Sequence, residues 1–272
     1  MKNCAQILDW TAWAPGLGSD KAAWTAAAGL PAFGLLAAPC APAGEKEPAA
    51  PAAAVPAMLR RRLSPLGRAV AEVVAPLAAR APDAPWVYAS RWGDADLAVE
   101  LLEETARGEA LSPAKFATSV HNGAASLLSI ALGHRGNLTA LAGGPFTAEA
   151  AFESAVGLLA EHPQVIVCAA EAKPPVAFAE RGATHAWGLL LGRQEETADQ
   201  EAWRAIKARG PFCALATRPL GAGEAANPRT RSLGGVPADL EFLAWLLASP
   251  EQVLERADRH AVWVFGKDRP LV

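Results

Sequence analysis

Short apolar runs alternate with longer amphipathic stretches along most of this chain. Gln6–Trp13 reads as a first strand, closed by the turn signal Ala14-Pro15-Gly16-Leu17-Gly18. A short helix is expected around Asp20–Ala28. From Ser64, a cap followed by Pro65 at the first helical position, Leu66, Val70, Val73, Val74 and Leu77 recur at helical spacing. Trp86–Ala89 is a buried strand, and Leu97, Leu101 and Leu102 form the stripe of the next helix. Helix His121–Leu132, strand Leu138–Ala142, helix Thr147–Ala160 and strand Val165–Ala170 follow in alternation. Ala183–Leu191 comes so soon after that strand that the two are expected to pair antiparallel. The tail is read as a helix Ala238–Leu247, another near Glu251–Arg259 and a strand Ala261–Phe265, with loop over 215–237. Strands separated by helices of about twelve residues predict a layered α/β fold with a mostly parallel sheet.

Two segments break the pattern. Residues 38–57 hold prolines among alanines and read as a surface insertion that the fold could lose. Ala22–Gly44 carries no charge, but Pro31, Pro39 and Pro42 interrupt it and alanine is weakly apolar, so no membrane span is expected. With 51% hydrophobic and 19% charged residues, the 272-residue chain can bury a sizeable core. Its net charge of −3 gives no electrostatic case for nucleic acid or an anionic membrane. Cys4, Cys40, Cys168 and Cys213 lack metal or CxxC spacing, and no secretory signal is visible, which points to a reduced cytoplasmic protein. Gly16-Leu17-Gly18 lacks the third glycine and the acid of a dinucleotide site, and nothing forms a metal or phosphate cradle, so no cofactor is expected.

One set of blocks carries more. Trp13-Ala14-Pro15-Gly16-Leu17 with Trp24, Leu59-Arg60-Arg61-Arg62-Leu63-Ser64-Pro65, Ala89-Ser90-Arg91-Trp92-Gly93, Leu111-Ser112-Pro113 and Ser119-Val120-His121-Asn122 occur in that order. This resembles the β-ketoacyl-synthase-like chain length factors that accompany ketosynthases in aryl polyene and related type II polyketide systems, over roughly residues 5–192. The resemblance implies a thiolase-like half-fold, a five-stranded sheet between helices, with 193–272 as a C-terminal extension packed on the same domain. It places the family's nucleophilic cysteine at or beside Pro145, in a turn that here reads Gly143, Gly144, Pro145. A pyrrolidine ring cannot attack a thioester, and the lone hydroxyl of Thr147, read as a helix cap, lacks a positioned base.

The resemblance therefore implies a catalytically silent partner of a full-length β-ketoacyl-ACP synthase, forming a heterodimer and shaping its acyl tunnel. Val120, His121, Leu141 and Phe146 would lie nearest that tunnel or interface. Arg60-Arg61-Arg62 is either a solvated helix entrance or a contact for an acidic partner such as acyl carrier protein. His121 is expected to hold backbone groups, His134 and His162 to close helices, and His185 and His260 to lie in or before strands. The rival reading is a small acyltransferase or hydrolase with an unrecognised nucleophile, Cys168 or Ser90, which would need a histidine within reach.

Overall fold

The computed structural model describes residues 3–28, 47–175, 178, 182–193, 212–219, 238–248, 253–257 and 261–267. In chain order these form β1 (Asn3–Trp13), α1 (Lys21–Ala28), α2 (Ala57–Arg60), α3 (Pro65–Arg80), β2 (Trp86–Ala89), α4 (Ala95–Ala106), α5 (Pro113–Ser119) and α6 (Gly123–Leu132). Then come β3 (Leu138–Leu141), a single 3₁₀ turn (Gly144–Phe146), α7 (Thr147–Leu158), β4 (Gln164–Glu171), β5 (His185–Arg193) and β6 (Phe212–Pro219). Helix α8 (Ala238–Ala248), β7 (Val253–Ala257) and β8 (Ala261–Lys267) close the series. Ser64 starts α3 as its sequence suggested: its hydroxyl accepts from the Gly67 N–H at 3.1 Å. The same Ser-Pro signature starts α5, where Ser112 accepts from the Lys115 N–H.

The strands lie in one sheet in the order β3-β2-β4-β5-β1-β6-β8-β7. Its first five strands are the expected five-stranded α/β layer, but they are mixed rather than mostly parallel. Strands β3, β2 and β4 run parallel, whereas β4–β5 and β5–β1 are antiparallel. Strands β4 and β5 pair antiparallel, as expected from how soon the second follows the first. Beyond β1 the sheet continues antiparallel through β6, β8 and β7. Two expectations for the tail therefore fail. Residues 253–257 are strand rather than helix, and 212–219 are strand where the expected loop begins. Hydrogen bonding to β8 from both sides outweighs local propensity here.

Both faces are covered, so central strands are apolar throughout and adjacent residues serve opposite cores. Val87, Ala89, Val165, Val167, Trp187 and Leu189 face a core shared with α1, α7 and α8. Trp86, Tyr88, Ile166, Cys168 and Leu190 face the other, under α3 and α6. The second half of the supposed insertion belongs to that second core. Ala50, Ala52 and Val55 are buried, the Ala52 N–H donates to Glu72 at 2.8 Å, and the Thr184 N–H donates to Glu47. A stretch rich in proline and alanine looks like linker in sequence because its burial comes from long-range contacts. The portion 38–46 lies outside the described residues. Replacing 47–57 with a Gly/Ser linker is expected to cost about 3 kcal/mol, the burial of two alanines and a valine. Equilibrium urea unfolding measures this, and an unchanged midpoint would return the segment to the status of a dispensable loop.

Candidate functional site

The ends of β2, β3 and β4 and the start of β5 meet at one end of the sheet, where ligand and catalytic sites of open α/β folds gather. Strand β3 is an edge, paired only with β2 among the described residues. It ends in the turn Gly143–Phe146. Gly144 has φ +58, in the left-handed region that favours glycine. Pro145 is exposed at the second position of the 3₁₀ turn. Thr147 is buried, and its hydroxyl accepts from the Gly143 N–H at 3.0 Å and donates to the Gly144 carbonyl at 2.7 Å. It thus ties the turn together rather than capping α7, because its partners lie before the helix. Its proton is committed to a backbone carbonyl rather than to a general base, so the hydroxyl is not activated for attack.

The tail folds over this turn. The Phe146 ring stacks on Trp263 of β8, centroids 5.1 Å apart, and the Arg256 guanidinium of β7 lies 5.8 Å from the same ring. Arg256 is itself buried between two carboxylates. Its Nε is 2.9 Å from Glu149 in the first turn of α7, and its Nη1 donates to Glu241 in the first turn of α8. Burial raises the Glu149 carboxyl to about 7 against the opposing charge of Arg256. Trp263 also donates to Glu153 at 3.1 Å. Sequence gave no sign of these partners, since each acid reads as an ordinary first-turn or exposed helical residue.

A second buried polar group lies between β4, β5 and α8. His185 places Nε2 2.9 Å from Asp239 and Nδ1 2.8 Å from the Ala183 carbonyl. Both ring nitrogens face acceptors, so both carry protons and the ring is an imidazolium. Burial alone would lower its pKa, but the Asp239 charge and hydrogen bond, with the Ala183 carbonyl, raise it to about 9. Asp239 also accepts from the Trp187 indole at 3.0 Å, and its carboxyl is held low by His185 despite burial. Glu171, paired in register with His185, is raised to about 7 by burial and by the Asp239 charge, against the Arg91 N–H that it accepts.

The structure gives no support to the two candidate nucleophiles of the rival reading. Ser90 is fully buried, and its hydroxyl accepts from the Gly93 N–H at 2.8 Å and donates toward Glu171 at 3.3 Å. His121 approaches it only to donate from Nε2 to the Ser90 backbone carbonyl at 2.7 Å, the backbone-holding role expected of that histidine. Cys168 is buried on β4, and desolvation pushes its thiol far up, away from the reactive thiolate. His134 and His162 do close helices: the His134 N–H donates to the Ser129 carbonyl and the His162 N–H to Leu158. His260 and the side chains of Cys4, Cys40 and Cys213 lie outside what the structure describes. No cluster of three or more His, Cys, Asp or Glu among the described residues could hold a metal, and no described helix is long and apolar enough to cross a membrane.

The residues singled out in sequence do not converge on one point. Leu141 is half-buried on β3 and packs on the α7 side. Phe146 is under the tail hairpin. Val120 is 43% exposed, in the link between α5 and α6. It belongs to a series of exposed apolar side chains that sequence reading missed, with Leu102, Leu111, Phe116 and Ile130. The series runs from α4 through α5 to α6, each packed on the next, and α6 packs on edge strand β3. Such an edge with apolar flanks favours association. The bond between Gly123 and the preceding turn shows how tightly α5 and α6 are joined. A Cβ on Gly123 would lie 2.4 Å from the Thr118 carbonyl oxygen, so only glycine fits.

A mixed sheet covered by helices, with a glycine turn closing its β3 edge, defines a thiolase-like protein of the ketosynthase kind. The chain belongs to the family of β-ketoacyl synthase N-terminal domains, whose profile matches residues 36–265. No curated protein sequence matches it significantly. Among solved structures it is similar to a chain of the ketosynthase ApeO in complex with its chain length factor ApeC from Xenorhabdus doucetiae. That likeness has a TM-score of 0.70 and 24% identity, covering 98% of this chain and 99% of that one. It also resembles a β-ketoacyl synthase from Burkholderia phymatum (TM-score 0.63, 12% identity, 99% and 100% covered). A third likeness is to the AntDE:AntF complex, a type II polyketide acyl-carrier protein with its ketosynthase bound to the hexaketide (0.61, 12%, 98% and 99%). At these identities the solved structures establish the fold.

Proposed function

We propose that this chain is the catalytically silent subunit of a heterodimer with a full-length β-ketoacyl-ACP synthase, acting in the cytoplasm as a chain length factor. The observation that carries the reading is the turn after β3. In the family's active members this is the nucleophile's place. Here it is built from Gly143, Gly144 and Pro145, with the hydroxyl of Thr147 tied into the turn and the half-buried Phe146 ring stacked on Trp263. The similarity to chains of the ApeO–ApeC and AntDE:AntF complexes supports an assembly of ketosynthase, chain length factor and acyl carrier protein.

In this reading β3 pairs with the partner, and the apolar series from Leu102 to Ile130 widens the contact. The residues bordering it, Val120, His121, Leu141 and Phe146, then limit how deep a growing acyl chain penetrates, because a packed wall cannot yield by even one methylene without strain. Exposed Arg61 and Arg62 offer positive charge for an acidic acyl carrier protein.

Incubation with acyl-ACP or malonyl-ACP, followed by intact-protein mass spectrometry, tests the silent turn. The expected outcome is no mass shift on this chain and acylation of the ketosynthase alone. A stable acyl adduct on any residue here overturns it.

A further inference from the structure

A pocket of about 210 Å³ lies where the start of α3 meets α4, α5 and α6. Leu63, Gly67, Leu97, Ala124 and Leu127 form its walls, and the polar residues of its lining are Arg62, Ser64 and Thr118. Both hydroxyls are already committed to their own backbone. Ser64 accepts from the Gly67 N–H at 3.1 Å, and Thr118 donates to the Lys115 carbonyl at 3.0 Å. The interior therefore favours an apolar group, which gains by leaving water and needs no hydrogen bond. The rim differs in kind, because Arg62 is exposed there.

Arg62 belongs to a group of arginines without counter-charges. No acidic residue occurs in sequence between Glu47 and Glu72, and Arg60, Arg61, Arg62 and Arg68 all fall in that interval. None of them forms an ion pair among the described residues. Cations elsewhere are matched: Lys21 and Arg80 meet Asp9, Arg107 meets Glu103 and Glu109, and Lys115 meets Glu100 and Glu104. A chain of net charge −3 that leaves these neighbouring arginines unpaired presents a local positive field. Close by in sequence, Met58 is 79% exposed, a long apolar side chain that the core does not use. A free carboxylic acid small enough for the pocket would engage one arginine and leave Met58 unused. Single-stranded nucleic acid stacks its bases on aromatic rings, and the lining holds none. Carboxylates set around a projecting apolar side chain are the face of an acidic amphipathic helix, and such helices dock by placing apolar anchors in a groove.

We infer that this pocket and its arginines form a docking site, on this chain itself, for an acidic helix of the acyl carrier protein, with one apolar side chain of that helix seated against Ala124 and Leu127. The inference rests on the reading of Arg61 and Arg62 as a carrier-protein contact, and adds the apolar half that this reading does not require. The test titrates apo acyl carrier protein, without its pantetheine arm, into the isolated chain, so that binding reports the surface contact alone. Arg61→Glu combined with Arg62→Glu is expected to weaken binding at least about tenfold. Wild-type binding is expected to fall steeply as salt screens the arginines. Ala124→Leu, which fills the pocket from its own wall, is expected to weaken binding at least about fivefold, and Ala124→Ser to bind as wild type. Met58→Asp, at a position open to solvent, is expected to act like Ala124→Leu and does not depend on how α6 tolerates leucine. If the double charge variant loses binding while Ala124→Leu and Met58→Asp keep it, the pocket is refuted and the arginines are a purely electrostatic contact. Equal binding of a single-stranded oligonucleotide or of anionic vesicles refutes the site as well. If the isolated chain binds no carrier protein but its complex with the ketosynthase does, the inference falls and the heterodimer stands. If that complex binds none either, the carrier-protein reading falls with it.

Discussion

Ala140→Pro is expected to weaken association with the ketosynthase partner about a hundredfold while leaving this chain folded. The direction of the backbone along β3 gives the reason. The Asn137 carbonyl accepts from the Trp86 N–H at 2.8 Å and the Leu141 carbonyl from the Ser90 N–H at 3.2 Å. Hydrogen bonding to one neighbour alternates residue by residue along a strand. Asn137, Thr139 and Leu141 therefore turn their backbone groups toward β2, and Leu138 and Ala140 turn theirs outward. Proline at 140 removes an N–H that only a partner strand can use, and proline is tolerated on edges for that reason. Loss of that bond and the steric clash of the ring predict about a hundredfold weaker binding, near 2.7 kcal/mol. Thr139→Pro removes an N–H aimed at β2 and should instead destabilise the isolated chain. Size-exclusion chromatography of the co-expressed pair, with circular dichroism of each variant alone, separates the two. Retained pairing by Ala140→Pro would show that β3 is not the contact.

The isolated chain is expected to be most stable near pH 5 and to weaken steadily toward pH 9. Glu149, Glu171 and His185 are buried groups that hold protons more tightly folded than unfolded and titrate within this window. Glu149 and Glu171 rise to about 7 from an ordinary 4.5, so the stability they add is complete below 4.5 and lost as pH climbs through 7. His185 rises to about 9 from 6.5, so its contribution is complete below 6.5 and lost through 9. Over this window the native state binds more protons, and linkage makes stability fall with pH. Asp9 and Asp239 act oppositely, being held low, and bring the decline below about pH 4. Several kcal/mol are at stake, so the melting temperature is expected to drop by about 5 °C or more between pH 5.5 and 9. Asp239→Ala leaves the buried His185 ring and the Trp187 N–H without their shared acceptor, at a cost of about 3 kcal/mol. It should also remove the fall in stability between pH 8 and 9, because His185 then loses the charge that raises it. A melting temperature that climbs with pH from 5.5 to 9 would refute this account.

Helices α3 and α7 and strands β2, β3 and β4 could be read from sequence because each carries its own signal. Ser64-Pro65 caps and starts α3, while the apolar runs at 86–89 and 165–170 are strands buried on both faces. Helix α5, which starts at Ser112-Pro113, was not read as a helix because seven residues are too few to show an apolar stripe. The glycine–proline turn at 143–145 was also local, and its inability to supply a nucleophile follows from residue types alone.

Other features depended on contacts between distant residues. Ala50, Ala52 and Val55 look like linker until α3 covers them. Residues 253–257 become a strand because β8 is beside them. Arg256 gains its role only when the first turns of α7 and α8 converge on it, and His185 becomes an imidazolium only when Asp239 arrives from 54 residues away. Burial, partner charge and exposure are properties of assembled surfaces, and a one-dimensional pattern carries no distance between residues far apart in the chain. Sequence by itself determined the alternation of strands and helices through residue 193, the family blocks and the glycine–proline composition of the turn after β3. Tertiary structure alone decided that β3 is an edge among the described residues, with apolar flanks, that Phe146 stacks on Trp263 of the tail, and that Arg256 and His185 meet buried carboxylates.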